Sequence, residues 1–200
     1  MPNCKKYLVV IGLALLPFMG WAQQGYGTLA YSLALPLGKT ADFIDHTSFR
    51  GLSADYNYYL LPNFSVGVAG SWNVFNSDLG RVTETYGDVT YTGNRFNFIN
   101  AVPLYFLPRY YFISPNESGF TLYGGVGIGA LYARQTFDIG GLRSETTDWQ
   151  FALAPELGGI FNLPFAAGLN VNVRYNTGFE SSDLPGTNYL GVNVGLVFRR

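Results

Sequence analysis

Residues 167–176, AGLNVNVRYN, alternate strictly: Leu169, Val171, Val173 and Tyr175 interleave with Gly168, Asn170, Asn172 and Arg174. Residues 189–199, YLGVNVGLVFR, repeat the pattern. Leu190, Val192, Val194, Leu196 and Phe198 share one face, Gly191, Asn193, Gly195 and Arg199 the other, and only Val197 departs. A period of two marks strands whose faces meet different surroundings. Less regular alternation predicts further strands over 26–36, 48–60, 64–76, 95–112, 120–133 and 148–161, eight in all. No segment after Gln23 carries a comparable stripe at the helical period.

The connections are of two kinds. Short ones, LPNF at 61–64, SPNESG at 114–119 and NLPF at 162–165, carry turn residues, while 37–47, 77–94, 134–147 and 177–188 read as longer polar loops. Because short and long alternate, the turns and both chain ends fall at one end of an antiparallel up-and-down meander. A sheet with one apolar face must cover that face or close on itself. A soluble lipocalin-like carrier turns its apolar side chains inward; a transmembrane barrel turns them to lipid and keeps small or polar residues within. Eight strands enclose only enough space for side chains, so the Gly, Asn, Ser and Ala face is expected inside and the large apolar face outside. The runs also reach the 9–11 residues or so that a tilted membrane crossing needs. Aromatic residues at strand ends, Tyr56, Tyr58, Tyr59, Trp72, Phe75, Tyr110, Tyr111, Phe112, Trp149 and Phe151, are expected to form interfacial girdles.

The stretch LYGGVGIGALYA at 122–133 resembles a phosphate-binding loop only superficially. A dinucleotide fingerprint needs G-x-G-x-x-G between a strand and a helix, whereas Gly125, Gly127 and Gly129 fall at every second residue. Leu122, Val126, Ile128, Ala130 and Tyr132 share one face, Tyr123, Gly125, Gly127, Gly129 and Leu131 the other. The glycines are therefore expected to line the lumen and leave room for long side chains on adjacent strands, at a cost in strand stability.

Composition changes the picture mainly at the start of the chain. With 48% hydrophobic and 17% aromatic residues against 12% charged, the sequence is apolar for a soluble protein. Its one long apolar run, Tyr7 to Phe18, follows Lys5 and Lys6 and precedes Gly20 and Ala22. That is the form of a secretory signal peptide, too short for a spanning helix of about 20 residues, and cleavage is expected after Ala22. Residues 1–22 are then a leader and 23–200 the barrel domain. Cys4, the only cysteine, leaves with the leader, so the exported chain has no thiol chemistry. Losing two of 12 basic residues against 13 acidic ones leaves a net charge near −3, which gives no footing for nucleic acid.

Four ionisable residues fall on inward positions in mid-strand: Asp55, Arg109, Glu156 and Arg174. Two acids and two bases can neutralise one another where an unpaired charge is costly. They fit either a fixed plug or a switchable gate in a narrow channel; the plug is favoured because eight strands leave little room for water. His46, the only histidine, lies beside Asp42 and Asp45 in the first loop and reads as an exposed loop residue rather than a metal ligand or base. No cofactor is expected. Arg81, Arg95, Arg134 and Arg143 are mixed with Glu84, Asp88, Asp138, Glu145 and Asp148 in or beside the long loops, a solvated outer face that can meet lipopolysaccharide phosphates or a partner.

With the stretches GWAQQGYGTLAYSLALPLG, LPNFSVGVAGSW, LYGGVGIGALY and YLGVNVGLVFRR, the chain resembles the small bacterial outer-membrane β-barrels of the OmpA and OmpX kind, in particular the outer membrane protein β-barrel domain common in Bacteroidetes. The likeness runs over residues 24–200. It implies an integral protein of the cell outer membrane, surrounded by lipid and lipopolysaccharide, with periplasmic turns and termini and extracellular loops. Such chains typically end on an aromatic residue read by the outer-membrane assembly machinery; here Arg199 and Arg200 follow Phe198. The resemblance implies no reaction. The expected role is non-enzymatic, structural or surface-interacting, with loops 77–94 and 134–147 as contact surfaces and their partner unspecified. A narrow gated channel, a lipid-modifying barrel enzyme and a soluble carrier are the alternatives.

Overall fold

The computed structural model describes residues 25–86, 89–113, 119–139, 141–163 and 167–199. The expected leader, residues 1–22, lies outside them. Eight strands follow in order: β1 (Gly25–Leu37), β2 (Gly51–Leu61), β3 (Phe64–Tyr86), β4 (Val89–Ile113), β5 (Phe120–Ile139), β6 (Leu142–Asn162), β7 (Ala167–Gly178) and β8 (Asn188–Arg199). One short helix, α1 (Lys39–Phe43), interrupts the first long connection. Every strand pairs antiparallel with its sequence neighbours, and β8 pairs with β1 from Arg199 opposite Tyr26 to Asn188 opposite Leu37, which closes the barrel. Closure leaves no unpaired edge where hydrocarbon offers no hydrogen bonds.

The alternation decides which side chains meet lipid. Leu29, Tyr31, Val68, Leu104, Phe106, Val126, Ile128, Leu157, Val194 and Leu196 are exposed on the outer wall. Ala30, Ser53, Ser65, Ala69, Ala101, Ala154, Asn170, Asn172 and Asn193 are buried within. This facing is the reverse of a lipocalin-like carrier and excludes that alternative.

Three of the aromatics expected in the girdles are not there. Phe75 and Tyr111 are buried inside the barrel, and Tyr59 packs beside Tyr111. Trp72, Tyr110, Phe112, Trp149 and Phe151 are exposed on the wall. Position along a strand brought all of these residues near an interface, but parity decides the side: Phe75 shares its phase with Asn73 and Ser77, Tyr111 with Arg109, and Tyr59 with Asp55.

The stretches 77–94 and 134–147 are strand, not loop, at all their described residues but Gly141, which turns between β5 and β6. β3 and β4 run for 23 and 25 residues, β5 and β6 for 20 and 21, against 11 to 13 for the other four. Cross-strand hydroxyl pairs, Thr83 with Thr92 and Thr85 with Thr90, each 3.0 Å apart, hold the outer part of the first hairpin. A register shift between Asp78 and Arg81 bends it, and Gly80 supplies the positive φ of 67° needed there. These segments look like loops in composition because a strand that has left the membrane needs no continuous apolar face: Val82, Tyr91, Phe137 and Ile139 are scattered among Arg81, Thr83, Thr92, Arg134 and Asp138.

Candidate functional site

The barrel interior is filled in layers. Near the turn end, Tyr26, Tyr59, Tyr111 and Tyr123 succeed one another with ring centroids 5.6, 5.1 and 6.0 Å apart. The Tyr111 hydroxyl lies 2.8 Å from both the Tyr26 hydroxyl and Ser65 Oγ. The rings block the lumen; the Tyr26 and Tyr111 hydroxyls bond each other and the Tyr123 hydroxyl bonds Asn170 and Asn172, so these three phenols are apolar in bulk and satisfied at their tips.

Above them the four ionisable residues meet. Arg109 of β4 sits in the middle: its Nη1 donates to Asp55 Oδ1 of β2 at 2.7 Å and to the Tyr26 hydroxyl at 3.0 Å, and its Nε donates to Glu156 Oε1 of β6 at 2.5 Å. Arg174 of β7 donates to the other oxygen of Glu156, from Nε at 2.8 Å and Nη2 at 2.6 Å. Asn57 Nδ2 gives Asp55 Oδ1 a second donor at 2.5 Å. The side chains of Asp55, Arg109 and Glu156 are at most 1% exposed. The Arg109 guanidinium also stands over the Tyr123 ring, 4.6 Å from its centroid. Two positive and two negative charges cancel, and each carboxylate receives charge-assisted bonds, the arrangement that makes ions tolerable away from water. Strands β1, β2, β4, β6 and β7 all contribute, so the group ties distant parts of the wall together.

The glycines of β5 make the space. A Cβ at Gly125 would lie 3.0 Å from Arg109 Cγ and 3.4 Å from Glu156 Cγ. One at Gly127 would lie 2.9 Å from the Tyr105 ring and 3.1 Å from Ala154 Cβ, and one at Gly129 would run into the Leu104 carbonyl. Tyr26 and Asn57 join the site without a signal of their own, while Tyr123 shares the lumen face that parity gives the glycines; each is inward on a strand next to, or carrying, one of the charges.

Towards the loop end the filling turns apolar. Phe75, Ile99, Tyr105, Leu107, Leu131 and Tyr189 join one buried cluster that also takes in Ile44 and Leu184 from the connections. His46 lies outside this interior; it and its neighbour Asp45, 2.5 Å away, are both largely exposed. Among the described residues no group of His, Cys, Asp and Glu could hold a metal ion. The geometry therefore assembles a neutral polar core between two aromatic layers.

Among solved structures, the outer membrane protein OprG of Pseudomonas aeruginosa matches with a TM-score of 0.57 and 18% identity, over 90% of this chain and 96% of that one. The attachment invasion locus protein Ail of Yersinia pestis, solved with the heparin analogue sucrose octasulfate, matches with a TM-score of 0.48 and 17% identity over 88% and 97%. The N-terminal β-barrel domain of P. aeruginosa OprF gives 0.46 and 15% over 88% and 98%. At 18% identity the likeness to OprG shows the fold alone. No curated protein matches the chain. The model of the outer membrane protein beta-barrel domain family matches residues 8–198, nearly the whole length. An eight-stranded closed barrel with lipid-facing apolar side chains and a family match over its full extent make one conclusion: the chain belongs to the outer membrane protein beta-barrel domain family and resides in the cell outer membrane.

Proposed function

We propose that this outer-membrane barrel works at the cell surface, through the sheet that β3 to β6 raise beyond the membrane, and neither conducts nor catalyses. The observation that carries the reading is the strand lengths. A crossing needs about 9–11 residues, and β3 and β4 have more than twice that. From Ser77 to Tyr86 alone, at ~3.3 Å per residue, the hairpin reaches about 30 Å further. Its surface carries Arg81, Thr83, Thr85 and Thr92, with Arg134, Arg143 and Glu145 on the neighbouring hairpin. A wet, mixed-charge sheet of this size gains nothing from the bilayer, so its use is contact with something outside. In this reading the leader is removed near Ala22, the turns and termini lie in the periplasm, and the assembly machinery inserts the barrel among lipopolysaccharide.

The cancelled charges of Asp55, Arg109, Glu156 and Arg174 favour a plug over a gate. The experiment is to replace 77–94, 134–147 or both by short turns and express each chain in a barrel-deficient host. Heat-modifiable gel migration is expected to stay intact in all three while cell adherence and autoaggregation fall; unchanged adherence in the double replacement rejects the reading. Purified wild type is expected to give no steps in planar bilayers and no change in lipid A mass on expression. Discrete channel events or a modified lipid A would move the assignment to a channel or an enzyme.

A further inference from the structure

The two remaining long connections, 38–50 and 179–187, fold over the mouth of the barrel instead of standing clear of it. Gly38, with φ of 53°, turns the chain out of β1 and into α1. The helix delivers Ile44 into the lumen, where it is fully buried against the cluster of Phe75, Ile99 and Tyr189, with Phe43 packed alongside. From the adjacent hairpin, since β8 pairs with β1, the connection after β7 delivers Leu184 into the same cluster. The two arms are tied to each other at the surface. Lys39 Nζ meets Glu180 Oε2 at 2.6 Å, both side chains more than half exposed, and the Asn188 amide donates to Thr40 Oγ1 at 2.7 Å.

Under the closed mouth, three buried polar atoms have no hydrogen-bond partner: Asn73 Oδ1 and Ser77 Oγ on the wall and Thr187 Oγ1 at the root of the second arm. Asn73 and Ser77 flank Phe75 on the inner face of β3, and Thr187 stands two residues before Tyr189, whose ring packs edge-on against Phe75, 5.4 Å between centroids. Seating the stopper gains burial of Ile44 and Leu184 but withholds water from these groups, two effects of comparable size and opposite sign. The closed mouth is therefore held by a narrow margin, and an exposed ion pair sits on it.

We infer that connections 38–50 and 179–187 form a two-armed lid, with Ile44 and Leu184 as its stopper and Lys39–Glu180 as its latch. It lifts to open a vestibule walled by Asn73, Ser77 and Tyr189. The vestibule ends at the salt-bridged core, so opening the lid gives access without conduction.

The test uses the full chain with Cys4→Ser and a single reporter, Ser77→Cys, labelled on intact cells by a small membrane-impermeant maleimide. Labelling is expected to be slow in the otherwise unchanged chain, where Ser77 is buried. Leu184→Ala is expected to speed it about tenfold and Lys39→Glu about threefold, and the swap Lys39→Glu with Glu180→Lys to restore the slow rate. A second reporter, Ser65→Cys at the turn end, is expected to stay unlabelled in every background. Equal Ser77→Cys rates in all backgrounds overturn the lid. So does a swap no slower than Lys39→Glu alone, or labelling of Ser65→Cys in step with Ser77→Cys, which would mean that the whole barrel had loosened. If Leu184→Ala fails to assemble by heat-modifiable migration, the Lys39→Glu and swap pair decides alone.

Discussion

The two halves of the lumen are closed in opposite ways. At the turn end, side chains from the barrel wall itself meet across the interior, and Arg109 alone joins Tyr26, Asp55 and Glu156. At the loop end, the mouth is stopped by Ile44 and Leu184, which arrive on connections and are latched by one exposed pair. Directional bonds to charged groups lose much when one partner is removed, because the other is left buried and unpaired. Apolar seating has no such penalty; it weakens in proportion to the area lost. One chain thus carries a fixed seal and a removable one, and what separates them is whether the closing residues belong to the ladder.

The largest effect that would sharpen this contrast is expected from Arg109→Ala. It strips Asp55 and one oxygen of Glu156 of their counter-charge in the interior, and should lower stability by roughly 3–5 kcal/mol in urea unfolding followed by gel migration. A loss below about 1 kcal/mol would show that the core is a spectator. Gly127→Leu is next. Its new side chain meets Tyr105 and Ala154 at once, and overpacking of this kind costs about 1–3 kcal/mol, read as a lower yield of heat-modifiable barrel at unchanged expression.

How much of this could be read in the sequence follows the same division. Wherever a strand separates lipid from lumen, alternation shows it, and β7 and β8 are legible residue by residue. The same parity that puts Asp55 and Glu156 on inward positions also covers Tyr59, Phe75 and Tyr111, but their places near strand ends point to the girdle instead. The outer parts of β3 to β6 are hard to read for a physical reason: beyond the membrane no face has to be continuously apolar, and Arg81 and Glu84 interrupt the alternation of Val82, Val89 and Tyr91 with Thr83, Thr90 and Thr92. Their β-branched content beside Gly80 and around the Gly140–Gly141 pair was the remaining signal. The lid could not be read at all, since an isolated Ile44 or Leu184 in a polar stretch looks like any exposed apolar residue until the chain folds back.

A smaller effect separates the two kinds of turn-end closure. Tyr111→Phe keeps the ring that blocks the lumen but removes the hydroxyl between Tyr26 and Ser65. The expected loss is about 1 kcal/mol, with no gain in conductance, because the Tyr26 hydroxyl still accepts from Arg109. Conductance steps in this variant would mean that the hydroxyl chain, not the packed rings, makes the seal.

The smallest effect is on the latch, and it depends on pH. Lys39 holds the Glu180 carboxyl below its ordinary range, and the Ser181 hydroxyl with the Trp149 and Asp183 amides does the same for Asp148 at the base of that arm. A carboxyl depressed in the closed form stabilises closure above its ordinary pKa, and that contribution disappears as pH falls through the depressed value, so the lid should loosen below about pH 4. Thiol chemistry also slows in acid, so the measurement is a ratio: the labelling rate of Ser77→Cys with Lys39→Glu over that without it. The ratio is expected to fall towards one as the pH drops from 7 to 3, and to fall again at pH 7 as salt screens the exposed pair. Stability carried by the buried ions of the turn end should not respond to salt. A ratio that ignores both pH and salt would remove Lys39–Glu180 as the latch and leave the stopper residues to hold the lid alone.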